Sequence, residues 1–376
     1  MRNCAFILEK AIEGGRIAPS EALELLRSAD LASLGAAAHA VRLRHNPTNC
    51  VTYIIERNIN YSNVCAADCD FCGFYVKAHD RERAYVLSRE ELDQKIEELV
   101  RAGGRQVLMQ GGLHPSLPLS WYEELLQHIK DKFHIHIHAF SPPEIHWLAK
   151  INKMTYHDVL RRLNEAGLDS LPGGGGEILV DRVRKTITRN KALTEEWLGV
   201  MRAAAECGLR GTATMMFGHI ETLEERIEHL ERIRQLQDES GVFTAFIGWT
   251  YQKSADLRLQ CPTTGAFDYL RTIAVARLYL DNIPHFQASW VTQGAKIAQI
   301  SLYHGCDDMG STMLEENVVS AAGTTYMLDA QEIERLIRHA GFTPRRRNFY
   351  YDETEEPRRP FLESARRNSE GRPTTE

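Results

Sequence analysis

A repeated plan constrains this chain more than any single residue does: helix, glycine, strand, polar loop. It recurs in R-A-G-G-R-Q-V-L-M-Q-G-G (101–112), E-A-G-L-D-S-L-P-G-G-G-G (165–176), E-C-G-L-R-G-T-A-T-M-M-F-G (206–218) and E-S-G-V-F-T-A-F-I-G-W (239–249). A glycine just past a helix takes the left-handed backbone that closes its last turn, and a short apolar run bounded by turn residues reads as a strand. The strands predicted on this basis cover 52–60, 105–110, 133–140, 168–171, 211–217, 243–249 and 286–291, with a weak eighth near Tyr303 to Asp307. Eight sequential βα units predict an α/β chain closed into a (β/α)8 barrel; an open doubly wound sheet shares the same pattern.

The barrel is expected over residues 48–344. Residues 1–47 read as a helical extension that braces or covers it, with one amphipathic helix over Ala5–Glu13 and a second in P-S-E-A-L-E-L-L-R-S. Ser20 is the expected N-cap of the second, with Glu21 and Glu24 in the first turn, where the helix dipole favours acids. Residues 345–376, rich in Arg, Glu, Pro, Ser and Thr, are expected to form a disordered polar tail.

Composition narrows the classes of function. The 376 residues are 43% hydrophobic, enough for one sizeable core, and the net charge of −6 argues against a nucleic-acid partner. No apolar run is long enough to cross a bilayer, and acids and a lysine interrupt the first residues too early for a secretory signal. The expected place is the cytoplasm, where thiols stay reduced.

Those thiols matter because three are clustered. Cys65, Cys69 and Cys72, spaced C-A-A-D-C-D-F-C, suit soft iron and are one ligand short of closing a four-iron cluster. The expected centre is therefore a [4Fe-4S] cluster with one open iron that can hold a small molecule. The alternative is a Cys3His zinc site without catalysis, completed by His79. Cys4, Cys50, Cys207, Cys261 and Cys306 are scattered singly and read as small buried hydrophobes.

Active sites of such barrels lie at the C-terminal ends of the strands. Gly111 and Gly112 after the second strand would bring backbone close to a ligand, as would the run Gly173–Gly176, followed by Glu177. Ser141 and Glu144 are candidates of the same kind, with a helix N-cap pair as their alternative. His134, His136 and His138 alternate on one strand face, so His138 alone is expected at the mouth. His114, His219 and the pair Asp307 and Asp308 follow strands directly and are the general-base candidates, unranked by the sequence.

With Phe71 before its last cysteine, the cysteine segment resembles the cluster loop of the radical S-adenosylmethionine enzymes. The resemblance implies that the open iron chelates the methionine end of S-adenosylmethionine, beside Phe71, Gln110, Gly111, Gly112, Ser141, Glu144 and Glu177. Longer segments narrow it: N-I-N-Y-S-N-V-C-A-A-D-C-D-F-C-G-F-Y, V-L-M-Q-G-G-L-H-P, L-P-G-G-G-G-E-I-L-V-D-R-V-R, A-S-W-V-T-Q-G and D-D-M-G-S-T-M-L-E-E-N-V-V-S-A-A-G-T. Together they resemble the dehypoxanthine futalosine cyclase family of menaquinone biosynthesis, from about Asn58 to Phe342.

Aminofutalosine synthase and the radical subunits that make the deazaflavin precursor share the cluster loop and the glycine run. The cyclase resemblance implies abstraction of the ribose C4′ hydrogen of dehypoxanthine futalosine, ring closure onto its benzoate, and a reductant such as flavodoxin or ferredoxin. Arg57, Ser289, Thr292 and Ser311 are expected to hold the substrate carboxylate, from their strand-end positions. After G-W-T-Y-Q the chain reads K-S-A-D-L, where these relatives have Pro and an Asn-Thr pair, so contacts from that loop are not carried over.

Overall fold

In the computed structural model, which describes residues 2–318, 320–323 and 326–353, helices end where glycine permits. Gly103, Gly167, Gly208 and Gly241 follow four of them with φ of 89°, 118°, 78° and 62°. Two helix starts are capping boxes: Ser88 and Thr222 accept the N–H of Glu91 and Glu225, whose carboxylates return to the cap N–H.

Between the helices run ten strands: β1 (Cys50–Ile54), β2 (Glu56–Ile59), β3 (Gln106–Met109), β4 (His136–Ala139), β5 (Ser170–Leu171), β6 (Arg210–Phe217), β7 (Phe243–Thr250), β8 (His285–Gln287), β9 (Asp308–Ser311) and β10 (Thr343–Arg346). All form one parallel sheet in the order β10-β1-β9-β8-β7-β6-β5-β4-β3-β2. β1 and β2 are one extended segment, Cys50–Ile59, interrupted only at Ile55. Its first half pairs with β9 and β10 and its second half with β3. The Thr312 N–H reaches the Ile54 carbonyl at 3.0 Å and the Leu314 N–H reaches that of Glu56 at 3.3 Å, extending the β9 side along the same segment. The curled sheet thus returns to the segment on which it starts, giving the expected barrel with β10 as an additional strand.

Four details differ from expectation. The first predicted strand is split at Ile55. The run expected as strand over 286–291 turns into helix at Trp290. The last predicted strand begins at Asp308, because the preceding residues are a turn closed by Gly305 at φ 104°. In the extension, Pro19 takes the first helical position, where its missing N–H costs nothing, so the N-cap is Ala18 and not Ser20. The Glu21 carboxylate accepts the Ala18 N–H at 2.6 Å.

The extension comprises α1 (Arg2–Ile12), α2 (Pro19–Ser28) and α3 (Leu31–His45). α3 starts at Asp30, which caps Ser33 N–H at 2.8 Å. α2 packs on the helices Leu223–Ser240 and Ala266–Tyr279, and α3 on the latter, so the extension braces the outside of the barrel.

The expected disordered tail is corrected over residues 345–353. β10 includes Arg345 and Arg346, and the chain then turns into the base of the barrel. Arg347 is buried and its guanidinium grips Asp308, with Nη2 3.0 Å from Oδ1 and Nε bonded to Oδ2. Phe349 stacks on His136 at 5.1 Å between ring centroids, and Tyr351 on His285 at 3.5 Å. The aromatic run Phe349–Tyr351 supplies the apolar surface that a disordered tail lacks; residues 354–376 lie outside the described residues.

Arg347→Ala should destabilise the fold by about 3–5 kcal/mol, the cost of leaving a buried carboxylate without its cation. Adding Asp308→Asn to that variant should recover part of the loss. Denaturant unfolding measures both, and an Arg347→Ala protein as stable as its parent would show that the plug carries no energy.

Candidate active site

Tyr61, just past β2, sets the entry to the cysteine loop. Its buried ring packs edge-on against Tyr122 and Phe140, and its hydroxyl donates to Glu144 at 2.6 Å. Backbone bonds then pin the loop to three places: Cys65 N–H to Val76 O (3.0 Å), Ala66 N–H to Leu113 O (3.0 Å) and Asp70 N–H to Ile187 O (2.9 Å). Ala67, Cys69 and Leu113 form a small apolar cluster, with Cys65, Phe71, Cys72 and Trp147 packed against it.

The Cys65 sulfur accepts the N–H of Ala67 (3.4 Å) and Leu113 (3.3 Å), contacts that favour a thiolate. Burial works the other way: it pushes the Cys69 thiol up to about 12 and raises that of Cys65. Such thiols ionise when a cation joins them, so this donor set suits a metal cluster. His79 is exposed, and among the described residues no three His, Cys, Asp or Glu side chains, the three cysteines included, are already gathered about one ion.

Beside the loop lies a cation that sequence reasoning missed. Lys191 Nζ stands 2.7 Å from Glu177 Oε1 and 5.1 Å from the centre of the Phe71 ring. Arg184, fully buried, donates to the carbonyls of Gly175 (3.0 Å), Gly176 (2.9 Å) and Ala192 (2.9 Å), and lies 3.5 Å from Glu177 Oε2. Both follow the glycine run, Arg184 in V-D-R-V-R and Lys191 in R-N-K. A pair of basic residues downstream of a buried acid was the available signal.

The barrel encloses a cavity of about 260 Å³. Of the predicted residues, Gln110, Glu177, Ser289, Thr292, Ser311 and His138 line it. Ser289 and Thr292 hydroxyls are bonded to each other at 2.7 Å. Trp249 and Trp290 form apolar wall, and Phe349 and Tyr351 line it from the plug at the base.

Other predicted residues are occupied elsewhere. Arg57 points outward, pairing with Glu98 at 2.6 Å and Glu315 at 2.7 Å, because alternation along β2 turns Glu56 and Asn58 inward in its place. Asp308 is saturated by Arg347, the Thr52 hydroxyl (2.5 Å) and the Gly310 N–H (2.6 Å), leaving it no lone pair for a base's work. His114 Nδ1 accepts the N–H of Ser116 and Leu117 in a turn, and the buried His219 holds the Met216 carbonyl with Nε2; neither is among the cavity's lining.

Ser141 and Glu144 are the helix cap of their alternative reading. The Glu144 carboxylate accepts the Ser141 N–H (2.8 Å), the Ser141 hydroxyl (2.5 Å) and the Gly111 N–H (3.0 Å) as well as Tyr61. The glycines serve packing at their Cα positions. A Cβ on Gly111 would meet the Tyr61 ring at 2.3 Å, one on Gly112 the Val64 carbonyl at 2.1 Å, and one on Gly173 the Thr212 carbonyl at 2.3 Å.

Comparison with known proteins places this geometry. Residues 59–233 match the radical SAM superfamily, and residues 240–359 match the CofH/MqnC C-terminal region. The cyclic dehypoxanthine futalosine synthase of Halalkalibacterium halodurans is 45% identical over 347 residues, covering 92% of this chain and 94% of that protein. The chain belongs to that family, within the radical SAM superfamily. The aminodeoxyfutalosine synthase of Thermus thermophilus, at 38% identity over 92% of this chain and 95% of its own length, is a more distant relative. The fold is also that of crystalline methylornithine synthase, with a TM-score of 0.72 at 19% identity over 90% of this chain and 97% of the other. Membership of the radical SAM superfamily implies a [4Fe-4S] cluster and S-adenosylmethionine. No helix among the described residues is long and apolar enough to cross a membrane.

Gly112→Ala forces its Cβ onto backbone and should shift the Val64–Cys65 segment. The apo-protein should melt lower and its loop thiols alkylate faster. Gly174→Ala, whose Cβ meets the movable end of Gln110 at 2.3 Å, should change neither by a comparable amount.

Proposed function

We propose that the chain cyclises dehypoxanthine futalosine to cyclic dehypoxanthinyl futalosine in menaquinone biosynthesis. The observation that carries this reading is the shared cavity: one space runs from Glu177 and the glycine run to Ser289, Thr292 and Ser311. Cys65, Cys69 and Cys72 are the ligands of a [4Fe-4S] cluster whose fourth iron is open to S-adenosylmethionine. When bound, this pair supplies the 5′-deoxyadenosyl radical that takes the ribose C4′ hydrogen. A flavodoxin or ferredoxin in the cytoplasm serves as the electron donor.

The remaining work belongs to the protein. Glu177, fixed by Lys191 and Arg184, offers carboxylate oxygens to donors of the cofactor, with Gln110 beside it. Ser289, Thr292 and Ser311 donate to the substrate carboxylate. Trp249, Trp290 and the floor of Phe349 and Tyr351 exclude water, so a carbon radical meets only its intended partner.

Two measurements test the reading. Cys65→Ala, Cys69→Ala and Cys72→Ala should each lose cluster iron after anaerobic reconstitution, while Cys207→Ala and Cys261→Ala keep it; full iron in the Cys69 variant would refute the ligand assignment. Reduced enzyme with S-adenosylmethionine and C4′-deuterated dehypoxanthine futalosine should give the cyclised product and labelled 5′-deoxyadenosine. An adenosine adduct with a carboxyvinyl benzoate, and no reaction with the dehypoxanthine substrate, would assign the chain to the aminodeoxyfutalosine branch.

A further inference from the structure

The acids around the cavity are not equivalent. Glu177 is neutralised by Lys191 and Arg184. Glu316 spends its two oxygens on the N–H groups of Val318 (2.9 Å) and Ser320 (2.8 Å) in its own loop. Glu56 lines the same cavity, is 6% exposed, and its carboxylate accepts from a neutral partner, the Gln106 amide, while the Ser311 hydroxyl reaches its main-chain carbonyl. Its charged neighbours, Arg347 and Asp308, are bonded to one another.

On either side of Glu56 the wall is short of donors. Asn58 and Gln106, 4% and 5% exposed, both line the cavity, and each has a buried side-chain carbonyl oxygen without a hydrogen-bond partner. Buried acceptors left unpaired are costly, and hydroxyl groups of a ligand relieve that cost. The diol of a ribose is such a ligand. In the cyclisation the ring carbon that must lose its proton is the one newly bonded to ribose C4′. A wall that grips the ribose therefore sets a base within a bond or two of that carbon.

Resting on the function proposed above, we infer that Glu56 is the base that removes the ring proton after closure. The C–H bond breaks, its proton goes to the Glu56 carboxylate and its electron pair joins the ring. One electron leaves to a one-electron acceptor, the oxidised iron–sulfur cluster, and the ring is aromatic again. Burial pushes the Glu56 carboxyl up to about 7, with Arg347 opposing the rise and Asp308 adding to it, so its basic form is present at neutral pH and can hold a proton there. The other basic side chain on this wall, His138, is a poor alternative. Its Nδ1 is tied to the Ser170 hydroxyl at 2.7 Å, and burial beside His136 and Arg347 keeps it from accepting a proton.

The test uses reconstituted holoenzyme and C4′-deuterated dehypoxanthine futalosine, comparing wild type with Glu56→Gln and Glu56→Asp. Glu56→Gln keeps a partner for Gln106 and should still pass deuterium into 5′-deoxyadenosine, while cyclised product falls by about 100-fold or more. Glu56→Asp should recover part of it. Product formed per labelled 5′-deoxyadenosine should rise through about pH 7 in wild type and stay flat in Glu56→Gln. Substrate quenching of Trp249 and Trp290 fluorescence in the apo-proteins should show that the glutamine variant still binds. Undiminished product from Glu56→Gln overturns the inference alone. Joint loss of binding and label transfer also overturns it, making Glu56 a structural residue. Absence of label transfer in wild type overturns the proposed function, and this inference with it.

Discussion

Everything in this barrel depends on the segment Cys50–Ile59 being shared. It accepts β9 and β10 along its first half and β3 along its second, so it is at once the start and the closure of the sheet. A strand fixed on both sides has no freedom of register, and a slip of one residue would exchange its two faces. The inward positions are therefore determined: Glu56 and Asn58 face the cavity, and Arg57 faces the helix Arg89–Arg101 and Glu315. The cysteine loop begins immediately after this segment, through Tyr61, so the ring closure also sets where the thiols stand.

The interior charges follow a division of labour between top and base. Near the cysteine loop two cations, Lys191 and Arg184, meet one acid, Glu177. At the base one cation, Arg347, meets Asp308. Buried charge is tolerated where it is paired and hydrogen-bonded, and both groups obey that rule. Glu56 lies between them with no cation bonded to it, and burial outweighs its hydrogen bonds and the nearby Arg347, so its proton affinity rises.

Much of the fold was legible because its signals are local. The glycines after helices and the short apolar runs mark βα boundaries without knowledge of the tertiary structure, and Gly103, Gly167, Gly208 and Gly241 take the backbone they were expected to take. The strand-end residues Ser289, Thr292 and Ser311 line the cavity, and position along the chain sufficed to place them there. What failed was information held by parity and by distant partners. Arg57 was chosen for its charge, whereas alternation along the strand points it outward. Asp308 was expected to follow a strand but opens β9 instead, where Arg347 claims it, a residue 39 positions later in a stretch whose composition resembles disorder. Glu56 and Lys191 lacked any motif, and only the folded chain shows that the first lines the cavity and the second pairs with Glu177.

The plug at the base has a consequence for the order of assembly. Synthesis runs from the N-terminus, and the residues that seal the barrel, Arg347 to Tyr351, emerge after all of its other strands. Until they arrive Asp308 is an unpaired acid, and His136 and His285 lack the aromatic rings that cover them. A nascent chain that has completed β9 is therefore a tube open at its lower end, with water in contact with the wall that later encloses substrate. The chamber gains its floor only once Arg347 to Tyr351 have docked, and a chain stopped just before Arg347 would hold nearly the whole barrel without that plug.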